Sequence, residues 1–344
     1  MKLRTLIAAA LCVASTTAIA KDDVTSARKF DAWAKNIKSL YKGLKSYGLS
    51  HDMSYQYANK FISQNAFGWD ITQGTKSEGT TADDDFIYWN GSINSFYNKK
   101  LDDYHEQGWI GTGSKIAVYD NHTGYYSYHG EQVGKIAQNY APGATIGDFT
   151  KAGTEVDSSF DLSEATIATH SYGYNKNTQP HVIKAIWNAK TSKAPNAIHV
   201  KSVNNICNCY SNYKVKEGTK AHTFNPTVKA YLKGKLDADF IFVGAVDWRR
   251  DIKSAHAGNV KNDFLVAYGA KLGSKYSYGT SYAVPRVAGA LALLEQKYPN
   301  LNNKQRKNLL LYTAKDLGAK GIDNVYGHGL LNINKAMSPF GYID

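Results

Sequence analysis

Cysteine is scarce in this chain: three among 344 residues, beside seven prolines and three methionines. So low a thiol count excludes a scaffold built on disulfides, which packs many bridges into a short chain. Cys12 lies in the first apolar run, and Cys207 and Cys209 flank Asn208. That pair either closes a very small ring, with little loop entropy to gain, or remains two free thiols. A zinc-ligand array is also missing. His105-Glu106 begins like a zinc-protease helix, but Trp109 stands where the second histidine is needed. Past the amino terminus no run reaches the roughly 18 apolar residues of a membrane span. There are no internal repeats or low-complexity tracts, and acidic residues number 29 against 41 lysines and arginines.

The chain opens with Lys2 and Arg4, then an apolar run from Leu6 to Ala14 and small residues at Ala18 and Ala20. That order predicts a secretory signal peptide over 1–20, cleaved before Lys21. Leu11 ahead of Cys12 does not fit the small residue that a lipoprotein signal places there. Export to the periplasm or the medium, without a lipid anchor, is therefore expected. Losing Lys2 and Arg4 takes the formal charge from +12 to +10. The charge is spread among tyrosines, glycines and asparagines with no basic helix. That argues against a nucleic-acid partner and for attraction to anionic envelope surfaces.

From Lys21 to about Gln64, Phe30, Trp33, Ile37, Leu40 and Leu44 share one helical face with lysines opposite, and a second helix runs from about His51 to Ile62. Residues 74–85 read as a turn-rich loop, and the aromatic stretch from Ile87 to Tyr104 predicts a further helix. Residues 21–104 thus form a small, mostly helical module. It is a propeptide, a retained accessory domain or a structural cover.

Chemistry concentrates further on. Gly113 to Asp120 is a β-branched, apolar run ending in a carboxylate, the pattern of a buried parallel strand whose carboxyl end faces a cleft. His129-Gly130 opens a helix, and Ala141-Pro-Gly-Ala144 turns into a strand at Thr145. Ser281 begins an apolar helix in which Pro285 fits the first turn, where helix dipole and free amides favour developing negative charge. Ser281 is either a helix cap or a nucleophile awaiting a base.

The stretch Gly279-Thr-Ser-Tyr-Ala-Val-Pro-Arg-Val-Ala-Gly289 closely resembles the nucleophile motif of the subtilisin-like serine proteases, the subtilases. The aspartate strand, His-Gly helix and Ala-Pro-Gly-Ala turn resemble that family's landmarks in the family's order. The resemblance runs from about Trp109 to Met337. It implies a subtilisin-like α/β fold over 105–344, with a doubly wound, mostly parallel sheet flanked by helices. It also implies an exported serine endopeptidase with Asp120, His129 and Ser281 as the triad. Ser171-Tyr172-Gly173 would pair with a protein or peptide substrate as an added strand, and Asn205 would donate to the oxyanion, with Asn204 as the alternative register. No cofactor is expected: calcium is common in the family, but no acidic loop here matches it. Some residues depart from the family pattern. Only eight residues separate Asp120 from His129, Glu131-Gln132 replaces the usual Thr-His, and Tyr282 replaces a methionine. These departures motivate a second reading, a catalytically silent subtilase fold used as an envelope binding or scaffold protein.

Overall fold

The structure, a computed structural model, describes residues 87–90, 95–122, 127–151, 160–206, 214–270 and 278–337. The expected signal peptide, the two helices between Lys21 and Gln64, the 74–85 loop and the Cys207–Cys209 pair lie outside the described residues. The chain divides into two compact units, the described residues up to Ile110 falling in the first and those from Gly111 onward in the second.

In the first unit, Ile87–Asn90 (β1) and Ser95–Asn98 (β2) pair antiparallel, followed by the helix Lys99–Glu106 (α1). The single helix expected from Ile87 to Tyr104 is therefore a hairpin for its first two thirds. Ile87-Tyr-Trp and Phe96-Tyr97 are the β-branched and aromatic types that strands prefer, and the register sets Tyr88 opposite Tyr97 and Trp89 opposite Phe96.

The second unit is built on six parallel strands: Lys115–Asp120 (β3), Thr145–Thr150 (β4), Ile167–His170 (β5), Ile198–Ser202 (β6), Phe240–Val246 (β7) and Phe264–Tyr268 (β8). Their order is β8-β7-β6-β5-β3-β4. Every residue of β5 to β8 is buried, as parallel strands covered on both faces must be. The α-helices of five or more residues are Ser127–Tyr140 (α2), Pro180–Lys193 (α3), Pro226–Leu232 (α4), Thr280–Lys297 (α5), Asn303–Tyr312 (α6) and Ile333–Met337 (α7). This is the doubly wound sheet flanked by helices expected from the sequence. The chain leaves β3 for β4 on one side, then returns to place β5 on the other. A crevice opens at the carboxyl ends where the strand order reverses in this way.

Helix α5 packs on α2 and along β5 to β8. Val284, Val287, Leu291, Leu293 and Leu294 are all buried. The small residues of α5 let backbones approach: a Cβ added at Gly289 would stand 2.2 Å from Tyr140 Cβ and 3.0 Å from Ala137 O. Pro285 is not in the first turn. The helix starts at Thr280 with Gly279 as its cap, so Ser281 is the second helical residue and Pro285 the sixth. A proline there removes the amide that would bond the carbonyl four residues back, which is that of Ser281. Ser171 Oγ donates to that carbonyl instead, at 3.1 Å, and so offsets the loss. Among the described residues, no helix is long and apolar enough to cross a membrane.

Because neither neighbour of Gly289 is the tip of a flexible chain, Gly289→Ala should destabilise the protein by about 1 to 3 kcal/mol through overpacking. Urea unfolding of the variant measures this, and an unchanged midpoint would contradict the close α2–α5 packing.

Candidate active site

Asp120 is the last residue of β3 and is 1% exposed. Its Oδ1 accepts from His129 Nδ1 at 2.8 Å and from the Asn121 amide at 2.7 Å. His129 stands in the first turn of α2, and that turn is bonded to the residue after the strand: Gly130 N donates to Asn121 O at 3.1 Å. Only glycine fits beside it, since a Cβ at Gly130 would lie 2.6 Å from Asn121 O and 2.5 Å from the His122 ring. With Nδ1 donating to a carboxylate, Nε2 is the basic nitrogen of the ring. The His129 ring lies 6.0 Å from that of Tyr282, which brings it beside the start of α5. Burial, with smaller contributions from Tyr128 and Asp120, raises the Tyr282 phenol, which is neutral at physiological pH.

Ser281 Oγ donates to the Ser171 carbonyl at 2.9 Å. With the return bond from Ser171 Oγ, the two serines are linked in both directions. One residue earlier, the Thr280 amide and hydroxyl lie 2.8 and 3.0 Å from Asn205 Oδ1, and the hydroxyl is also 2.9 Å from Val203 O. An amide side chain whose oxygen is engaged in this way presents its NH2 group as donor. Asn204 is buried, its carbonyl accepting from Ala255 N at 2.7 Å. Of the expected substrate-binding segment, Ser171 and Tyr172 are buried and Gly173 is exposed. The structure thus pairs Asp120 with His129 and gathers Ser281, Ser171 and Asn205 around Thr280. Thr280 is in the motif as the residue before the nucleophile, but nothing in its spacing ties it to Asn205. The arrangement supplies an oriented base, a hydroxyl at a helix start and an amide donor, which are the parts that acyl transfer requires.

Residues 80–329 match the sequence model of the subtilase family, Peptidase_S8. Serotype-specific antigen 1 of Mannheimia haemolytica is 35% identical over 120 residues, 30% of this chain and 13% of that protein. The Neisserial autotransporter lipoprotein NalP of Neisseria meningitidis serogroup B is 48% identical over 68 residues, 18% of this chain and 6% of that protein. Subtilisin BL of Lederbergia lenta is 40% identical over 106 residues, 29% of this chain and 38% of that protein. The chain therefore spans less than two fifths of each of these relatives.

Ser171→Ala leaves the Ser281 carbonyl without the donor that replaces Pro285's missing amide. It should lower stability by about 1 to 3 kcal/mol. A urea midpoint equal to wild type would show that this carbonyl needs no such partner.

Proposed function

The chain belongs to the subtilase family, and on that premise we propose that it is an exported serine endopeptidase in which Asp120, His129 and Ser281 cleave peptide bonds through an acyl-enzyme. The observation that carries the reading is the 2.8 Å bond between His129 Nδ1 and Asp120 Oδ1 on the side of the crevice where α5 starts.

In this mechanism, the Ser281 hydroxyl turns from the Ser171 carbonyl toward His129 Nε2, which takes its proton as Oγ attacks the scissile carbonyl carbon. Asp120 holds the imidazole in the productive tautomer and stabilises its charged form. Negative charge gathers on the carbonyl oxygen, where the Asn205 NH2 donates to it. Thr280 fixes the other end of that amide, so little reorganisation is needed as charge develops. His129 then gives its proton to the departing amine, and water, deprotonated by the same ring, releases the acyl group from Ser281. The Ser171–Gly173 segment aligns the substrate backbone as an added strand. Side chains and the attacking water suffice for each step, and no cofactor is proposed.

Export is supported by the signal-like pattern of 1–20 and by kinship with a protein named as an autotransporter. Residues 21–104 are proposed as a module that restrains or guides the protease.

A fluorophosphonate probe should label wild type at Ser281. Ser281→Ala should abolish both label and turnover while retaining the fold, and an unlabelled wild type would favour the silent-scaffold reading. Asn205→Ala should lower kcat by about 10² to 10³ with little change in KM, and Asn204→Ala by much less; the reverse order would assign the oxyanion to Asn204. Reading the mature amino terminus of exported wild type and Ser281→Ala tests processing. A shortened wild type beside a mutant starting near Lys21 means self-cleavage, and two identical products starting there mean a permanent domain.

A further inference from the structure

Along an extended segment, successive carbonyls point to opposite sides. At the exit of β5 this alternation divides their partners. The Ser171 carbonyl meets Ser281 Oγ at 2.9 Å, while those of His170 and Tyr172 turn toward β6. The pairing of β5 with β6 ends at His170 opposite Lys201, so the regular ladder supplies no further amide. Two side chains continue it. Lys201 Nζ donates to the Tyr172 carbonyl and lies 3.0 Å from Ser202 Oγ, 2.9 Å from Ser202 O and 3.4 Å from His170 O. Ser202 Oγ lies 3.0 Å from His170 O and 3.3 Å from Tyr172 O. Lys201 is 1% exposed. An ammonium buried this deeply persists only where its donors are used, and these are used on the two strand ends that border the crevice. Asn205 follows four residues later.

We propose that Lys201 is a positioning residue for the reaction: its ammonium fastens residues 170–172 to the end of β6, and so sets where Ser171 meets Ser281 and where Asn205 stands beside them. The role rests on the proteolytic reading above, and it is carried by contacts that the catalytic residues do not make themselves.

The charged and titratable groups around Lys201 come from every neighbouring element: Asp120 on β3, Lys151 after β4, His170 and Tyr172 at β5, His199 on β6 and Lys190 on α3. Lys151, Lys201 and Lys190 stand 5.4, 5.3 and 5.8 Å from the centre of the Tyr172 ring. Burial pulls the Lys201 ammonium down to about 7, with Asp120 opposing and Lys151 and Lys190 assisting. Burial keeps His170 and His199 neutral, His199 being lowered to about 3. The ammonium therefore weakens as a staple as pH rises through and above neutrality. That is opposite in sign to a general base, which gains activity when it loses its proton. The wild type should show a falling alkaline limb that belongs to Lys201.

The test measures fluorophosphonate acylation, kcat and KM for wild type, Lys201→Met and Lys201→Arg from about pH 6 to 10, with urea unfolding to confirm that each variant folds. Lys201→Met should slow acylation about 10- to 100-fold, the size expected when reacting groups are displaced by a fraction of an ångström to an ångström. The loss should fall mainly in kcat, and the alkaline limb should vanish. Lys201→Arg should restore much of the rate and hold it to high pH. If Lys201→Met does not fold, Ser202→Ala takes its place. A smaller drop with the alkaline limb retained supports the proposal, and no change overturns it. Lys201→Met labelled at the wild-type rate with the same limb overturns the positioning role alone. A wild type that takes no label at Ser281 removes the proteolytic reading, and the role of Lys201 with it.

Discussion

Two hydrogen bonds running in opposite directions between Ser171 and Ser281 join the exit of β5 to the start of α5. The first arises because Pro285 leaves the Ser281 carbonyl without its helical donor; the second holds the Ser281 hydroxyl on a strand carbonyl. Helix α5 is buried through most of its length and meets α2 at backbone distance through Gly289. A helix gripped at its first turn and packed this closely has little room to slide along the sheet. The motion left to the proposed nucleophile, Ser281, is a rotation about one side-chain bond. Catalytic geometry of this kind depends on rigid support more than on the reacting groups themselves.

Much of this was legible in the sequence, and the exceptions have physical causes. The Gly113–Asp120 run signals a buried strand because a parallel strand is apolar throughout. His129-Gly130 signals a helix start, and the structure supplies the reason for the glycine in Asn121 and His122. Pro285 was harder to place, because its permitted position depends on whether another chain segment supplies the missing donor, and Ser171 lies 110 residues away. Ile87–Asn98 misled for a different reason: a short aromatic run suits a hairpin as well as a helix, and periodicity alone does not separate them. The Asn204 and Asn205 alternatives are adjacent in sequence, and only tertiary contact distinguishes them. Thr280 bonds one, while Ala255 bonds the backbone of the other.

The layer beneath the crevice was the least legible. Ile198-His-Val-Lys-Ser202 alternates apolar and polar residues, the pattern of a strand with one wet face, yet all five are buried. The polar set is accommodated by aromatic rings and by one another. His170 stacks on Tyr119 at 4.7 Å and its Nε2 lies 2.9 Å from His199 Nδ1, while Lys190 Nζ sits 4.2 Å from the Tyr119 ring centre and 2.6 Å from the Lys151 carbonyl. Cations over aromatic faces and paired imidazoles are acceptable in a low-dielectric interior because the His170 nitrogens and Lys190 Nζ meet partners, although the Tyr119 hydroxyl does not. Such a layer is less forgiving than an aliphatic one, since removing one member strands another. It also makes the strand ends above it depend on charge.

The short connection between Asp120 and His129 completes this logic. A longer excursion could carry its own strand and place the histidine by packing against it; eight residues cannot. Strand end and helix start are instead held together by Gly130 N on Asn121 O, with His122 Nε2 3.0 Å from Val118 O. Asp120 and His129 are therefore registered by local backbone contacts, whereas Ser281 and Asn205 are registered by Thr280, Ser171 and the buried lysine of β6. The two halves meet at the crevice through the approach of His129 to Tyr282, and behind it through the packing of α2 on α5. A change that loosens the β5–β6 side should leave the Asp120–His129 bond intact and still impair the proposed transfer of the serine proton. In the proposed mechanism that transfer, like the release of the acyl group by water, requires both halves in register.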